Sequence, residues 1–110
     1  MFDTHCHLTS SQLRRRTDQV IADAGEQGVD RMITVGTTPD DCAAAREVAE
    51  RFDHVWYTAG VHPHYANDVN PDDLPRVIEH AHHPRCVAVG EIGLDYHYPD
   101  PPRDVQRQFF

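Results

Sequence analysis

Four short apolar runs, set apart by segments with helical grammar, constrain this chain more than any other feature. They are Met1-Phe2 leading into Asp3-Thr4-His5-Cys6-His7, then Met32 to Gly36, Val55 to Val61, and Cys86 to Glu91. Between them lie stretches with helix-opening signals. Thr38-Pro39-Asp40-Asp41 and Asn70-Pro71-Asp72-Asp73 each supply a capping side chain, a proline at the first helical position and two acids where the helix dipole favours negative charge. Strands alternating with helices are the grammar of right-handed βαβ units and a parallel sheet. The strand ends are regularly spaced: from His7 to Thr37 is 30 residues, from Thr37 to His62 is 25, and from His62 to Glu91 is 29. A barrel of eight such units needs about 250 residues, or roughly 31 per unit. The expected fold is therefore α/β, the amino-terminal half of a TIM-type (β/α)8 barrel, with four parallel strands in the order 1-2-3-4 and helices outside. A dinucleotide fold is disfavoured, because no Gly-x-Gly-x-x-Gly follows the first strand.

The helices are read as follows. The first spans 10–28, capped by Ser10 or Ser11, ended by Gly28, and burying Leu13, Val20, Ile21 and Ala24. The Arg14-Arg15-Arg16 run lies on its solvated side. The second runs from Thr38 to about Phe52 and buries Cys42, Ala45, Val48, Ala49 and Phe52. The third follows Asn70 and buries Leu74, Val77, Ile78 and Ala81. His80, His82 and His83 gather at its end, where they complement the dipole rather than bind metal. The apolar run from Cys86 suits a strand covered on both faces. Pro99 to Pro102 form a stiff surface loop, and Arg103 to Phe110 begin a fourth helix.

Composition narrows the function. The chain of 110 residues is long enough for one domain with a core, here a partial barrel spanning 1–110, and its 39% hydrophobic and 25% charged residues are ordinary for a soluble protein. No window approaches the roughly 18 apolar residues of a membrane span, and no signal-peptide pattern precedes the first strand, so the expected compartment is the cytoplasm. Cys6, Cys42 and Cys86 are too widely spaced for a zinc knuckle and read as small buried residues. A net charge of −8 argues against a protein that grips duplex DNA through many phosphates. With no lysine in the chain, neither a Schiff base nor a lysine-derived metal bridge is available.

The chemistry gathers where barrel enzymes keep it, at the carboxyl ends of strands. Asp3, His5 and His7 fall on one face of an extended strand, so two imidazoles can grip one divalent ion while Asp3 fixes a ring tautomer. His62 and His64 follow the third strand, and Glu91 and Asp95 the fourth. A carboxylate such as Glu91 at the end of an apolar strand needs a partner to offset desolvation, and a cation is the natural one. His5, His7 and Glu91 together offer nitrogen and oxygen donors suited to zinc, manganese or magnesium.

The run Met-Phe-Asp-Thr-His-Cys-His-Leu, Gly60-Val61-His62-Pro63, and Gly90 to Tyr96 resemble the TatD family of metal-dependent deoxyribonucleases, over the whole chain. Arg103 to Phe110, with Gln106 and Phe109, resembles the opening of the family's fourth helix. The resemblance implies that His5 and His7 bind one metal, that Glu91 binds or bridges two, and that His62 is catalytic, close to the scissile phosphate. It implies two divalent metals per complete site, DNA ends or single strands as substrate, and no obligate protein partner or membrane. Thr9 departs from the family's usual Asp or Asn. The family's two later metal-binding histidines and its water-activating aspartate lie in segments that these 110 residues do not include. The expected function is a TatD-like deoxyribonuclease whose partial chain is inactive alone and marginally stable, with its inner face and sheet edges incompletely covered. The alternatives are a related ester or amide hydrolase, such as an aminoacyl-tRNA deacylase, and a non-catalytic metal-binding fragment.

Overall fold

A computed structural model describes residues 1–110. Its elements are β1 (Phe2–Cys6), α1 (Thr17–Glu26), β2 (Arg31–Val35), α2 (Pro39–Arg51), β3 (Val55–Ala59), two 3₁₀ turns (Pro63–Tyr65 and Pro71–Asp73), α3 (Leu74–Ala81), β4 (Cys86–Val89) and α4 (Arg103–Phe109). The strands form one parallel sheet in the order β1-β2-β3-β4, as the spacing predicts. No helix is long and apolar enough to cross a membrane.

The helices cover one side of the sheet and bury two apolar groups. Leu8, Ile21, Met32, Val48 and Val55 fill the space under α1 and the end of α2. Cys42, Ala45, Ala49, Tyr57, Ala59, Val61, Val77 and Phe109 are among those that fill it under α2, α3 and α4. A fully buried valine contributes about 1.5–3 kcal/mol, so Val48 and Val55 alone matter on the scale of domain stability. Small side chains on α2 let that helix settle closely on β3. The second helix starts where its sequence says it should. The Thr38 hydroxyl accepts the Asp41 amide at 3.1 Å, and Pro39 takes the first helical position. Asn70 does the same for Asp72 at 3.0 Å, although the turn it opens is 3₁₀ before α3 begins at Leu74.

Several boundaries differ from the sequence reading. The first helix begins at Thr17, not near Ser10, and Arg16 at its cap provides no side-chain bond. Residues 10–16 turn instead, with the Ser10 carbonyl accepting the amides of Leu13 and Arg14. The Thr17 hydroxyl donates to the Leu8 carbonyl at 3.3 Å, so the helix starts only after the chain has folded back over the end of β1. The third and fourth strands stop at Ala59 and Val89, before the residues that bear chemistry. Ile78 is half exposed, because Leu74, Val77 and Ala81 already fill the contact of α3 with the core. Of the two terminal phenylalanines, Phe109 is buried and Phe110 is exposed.

The fourth strand is not covered on both faces. Val87 is 49% and Val89 67% exposed, and Val87 shares an open apolar face with Phe2, Ile33 and Trp56. This is the face of the sheet opposite the helices. Nothing from these 110 residues packs over it, which is the incomplete covering expected of four βα units. The Arg85 guanidinium closes one end, lying 4.9 Å above the Trp56 ring and donating to the Phe52 and Asp53 carbonyls at 2.8 Å.

Candidate metal centre

The first strand, whose register against β2 shifts between Asp3 and Cys6, presents its histidines on the side away from Cys6. Cys6 turns towards the core, where its thiol donates to the Ile33 carbonyl at 3.3 Å, and burial pushes that thiol up to about 12. His5 and His7 stay exposed on the other side, with ring centroids 5.1 Å apart. Asp3 does not orient either ring. Its carboxylate instead accepts the His5 backbone amide at 3.1 Å and stiffens the strand.

Glu91 arrives at the same place from β4, by a route that depends on Gly60. The Gly90 amide donates to the Ala59 carbonyl at 2.9 Å, and the Glu91 amide reaches past β3 to the Gly36 carbonyl at 3.1 Å. A side chain at Gly60 would stand in the way: a Cβ there would lie 2.8 Å from the Gly90 carbonyl carbon and 2.9 Å from the Glu91 oxygen. The bare backbone at Gly60 thus lets Glu91 cross the end of the sheet. The result is a cluster in which one donor atom from each of His5, His7 and Glu91 lies within 4.8 Å of the others. Glu91 Oε2 is 3.7 Å from His5 Nε2. Bonds of about 2.0–2.2 Å to a tetrahedral ion would separate ligands by roughly 3.4 Å, so small side-chain rotations bring these donors to an ion. The site is partly open, since the Glu91 side chain is 34% exposed.

His62 approaches the other oxygen of Glu91, with Nε2 3.4 Å from Oε1. Its Nδ1 accepts the His64 amide at 3.1 Å. A neutral ring with Nδ1 occupied as an acceptor carries its proton on Nε2, so His62 presents an N–H to Glu91 rather than a lone pair to an ion. His64 diverges from the cluster, and its Nε2 meets Asp95 Oδ2 at 2.7 Å. That bond and the His97 amide hold the Asp95 carboxyl below the usual aspartate value. Beyond His7, a polar cleft is lined by Thr9, Ser10, Thr37, Thr38, Asp41 and Tyr65. The Thr9 hydroxyl donates to Asp41 Oδ1 at 2.5 Å, tying the segment after β1 to the start of α2.

The other histidine cluster is dispersed. His82 Nδ1 lies 2.8 Å from the Ile78 carbonyl, where it can serve the end of α3, whereas His83 Nε2 lies 3.0 Å from Glu50 of α2. His80 is partly buried, and desolvation followed by the charge of Arg46 lowers its basicity. The proline-rich loop is also more than a surface spacer, because Pro101 is buried and its carbonyl accepts the side-chain Nε2 of Gln106 at 2.8 Å.

A family profile described as TatD related DNase matches residues 2–110. The chain belongs to that family. Among TatD relatives, the uncharacterized metal-dependent hydrolase YabD of Bacillus subtilis is 36% identical over 110 residues, covering 100% of this chain and 43% of YabD. The 3'-5' ssDNA/RNA exonuclease TatD of Salmonella typhimurium is 39% identical over 110 residues, covering 99% of this chain and 42% of that protein. The chain thus spans less than half the length of the curated relatives it matches. The crystal structure of YjjV, a TatD homolog from Escherichia coli K12, superposes with a TM-score of 0.83 at 28% identity, over 99% of this chain and 43% of YjjV. A TatD family hydrolase from Entamoeba histolytica gives 0.85 at 22% identity, over 99% of this chain and 42% of that one, and supports the fold alone. The fold is that of the amino-terminal part of a TatD hydrolase barrel. The family is one of metal-dependent hydrolases, which implies a divalent metal ion.

Proposed function

We propose that this chain carries the first part of the active site of a phosphodiesterase that degrades DNA, at ends or in single strands, with His5, His7 and Glu91 as metal ligands and His62 as a catalytic residue. The observation that carries the reading is the convergence of those three donors at the ends of β1 and β4. Two imidazole nitrogens and a carboxylate oxygen suit zinc or manganese, and magnesium with further oxygen ligands. A divalent ion, or a pair of them, would supply activated water and neutralise charge developing on the phosphate. His62 holds a proton at Nε2, beside the carboxylate oxygen that is turned away from His5, and can donate it to a phosphate oxygen brought to the cluster. Glu91 divides its two oxygens between that donor and the metal cluster. The names of the curated relatives, single-stranded DNA and RNA exonucleases, support nucleic acid over an aminoacyl ester as the substrate. The three free cysteines suit a reducing compartment and hence the cytoplasm.

Activity belongs to a longer protein on this reading. The family resemblance assigns two further histidines and a water-activating aspartate to later segments, and loss of a general base commonly costs about a hundred- to ten-thousand-fold. The test is release of nucleotides from single-stranded DNA with magnesium, manganese or zinc, comparing the 110-residue chain with its longest continuation and using a chelator control. We expect chelator-sensitive turnover by the continuation and little or none by the chain. Equal turnover by both would overturn the assignment of activity to the longer protein, and no metal-dependent turnover by the continuation would overturn the nuclease reading.

A further inference from the structure

One almost fully buried polar side chain near the site belongs to neither the histidines nor the carboxylates. Gln106, on α4, is 1% exposed. Its Oε1 accepts the Asp95 amide at 2.7 Å, and its Nε2 donates to the Asp95 carbonyl and the Pro101 carbonyl, both at 2.8 Å. One amide group therefore pins both ends of the loop 95–101 by three bonds. A glutamine buried for packing alone would carry a desolvation penalty that an apolar residue avoids. Here every bond it makes goes to that loop.

We infer that Gln106 is a positioning residue, which fixes the Asp95 loop so that Asp95 holds His64 and the His64 amide in turn holds the His62 ring towards Glu91. This rests on the roles proposed above for His62 and Glu91. Each link is a direct contact: Gln106 to the Asp95 backbone, Asp95 Oδ2 to His64 Nε2 at 2.7 Å, the His64 amide to His62 Nδ1 at 3.1 Å, and His62 Nε2 to Glu91 Oε1 at 3.4 Å. The groups that face the Asp95 carboxyl are His64, from the 3₁₀ turn after β3, and His97, from its own loop. Neither of them is bonded to His5, His7 or Glu91 in the structure, so the Asp95 end of the relay stands apart from the metal cluster, and only its last link, His62 to Glu91, meets it.

The test uses the 110-residue chain and nuclear magnetic resonance. Gln106→Met keeps the bulk of the side chain and removes all three bonds, whereas Phe109→Leu perturbs the packing of the same helix and removes none. We expect Gln106→Met to move the carboxyl titration of Asp95 up towards its ordinary value of 3.8. We also expect the His62 ring nitrogens to lose the distinct shifts of a fixed Nε2–H tautomer, and Phe109→Leu to change neither. Unmoved Asp95 titration in Gln106→Met, or an equal movement in Phe109→Leu, would overturn the positioning role. A shift at Asp95 with His62 unchanged would overturn the relay to the site. Should Gln106→Met fail to fold, Gln106→Glu, which keeps the acceptor and loses both donations, is read in its place beside amide exchange in the unaltered chain. Exchange of the Asp95 amide as fast as an open loop would then overturn the inference. A failure of the metal reading leaves all these signals as they are, so the two can be told apart.

Discussion

The chain contains two His-x-His pairs at strand ends, and they do different things. His5 and His7 lie on and just beyond β1, where alternation puts both rings on one side, and both reach the donor cluster with Glu91. His62 and His64 have the same spacing, but β3 ends at Ala59 and the backbone turns into the 3₁₀ turn Pro63–Tyr65. The His64 amide folds back onto His62 Nδ1, and the rings part, one towards Glu91 and the other towards Asp95. The spacing of a motif therefore means little until the backbone conformation beneath it is known. An extended pair converges on one ligand, whereas a turned pair links two carboxylates.

Breaking each pair in turn should give the largest contrast. His5→Ala or His7→Ala removes one of three donors and is expected to weaken zinc binding by roughly a hundred-fold or more, exceeding the ten- to hundred-fold typical of outer contacts. His64→Ala should leave affinity within about three-fold. Titration calorimetry of the 110-residue chain distinguishes these, and a comparable loss for His64→Ala would erase the distinction between the pairs. Next in size is Gly60→Ala, which acts on the route by which Glu91 joins the first pair. Its Cβ would meet backbone of residues 90 and 91 at 2.8 and 2.9 Å, and backbone cannot rotate aside. Overpacking of this kind costs about 1–3 kcal/mol. We expect both a lower urea midpoint and weaker zinc binding. Loss of stability with full zinc affinity would show that Glu91 reaches the cluster without that close approach.

Acid should separate the pairs more gently. Protons compete with a metal for imidazole, so zinc affinity is expected to fall as pH drops below about 6.5, the value of free histidine. The contact of His64 with Asp95 has a different window. The Asp95 carboxyl is lowered in the folded chain, so its contribution to stability is fully present above the ordinary value of 3.8 and is lost as pH falls through the folded value. Near pH 5, then, the chain should have released metal while Asp95 still titrates as a carboxylate. Following zinc by calorimetry and Asp95 by carbon resonance over the same range tests the order.

Much of this was legible in the sequence. The strand order, the cap at Thr38, and the placing of His5, His7 and Glu91 at strand ends follow from local pattern, because alternation, capping and strand-end placement are properties of a few neighbouring residues. What could not be read were features fixed by distant contacts. The start of α1 was displaced because Thr17 bonds to Leu8, nine residues earlier, and the Ser10 and Ser11 signals were used for turns. Glu91 gained partners from three other strands' ends, and no local pattern gives the path past Gly60. Gln106 was noted only as part of a family-like segment. Its partners, Asp95 and Pro101, declare themselves only once α4 packs beneath the loop.

The smallest expected effect concerns what holds the chain just beyond the first pair. After His64 the anchor is a carboxylate, Asp95, bonded to the ring itself; after His7 it is the Thr9 hydroxyl on Asp41, which touches no ring. Asp41 also accepts the amide and the hydroxyl of Thr37 at 3.0 Å each, so it keeps two partners when Thr9 is altered. Thr9→Val preserves shape and removes only the donor, and should cost about 1 kcal/mol, the net worth of an ordinary hydrogen bond. For a chain of this size that is a fall in Tm of about 4 °C. Zinc affinity should stay within about two-fold, because the pleat of β1, and not the loop after it, sets the directions of His5 and His7. A larger loss of affinity with the same small change in Tm would mean that the Thr9 to Asp41 contact aims His7, and the first pair would then depend on its following loop as much as the second does.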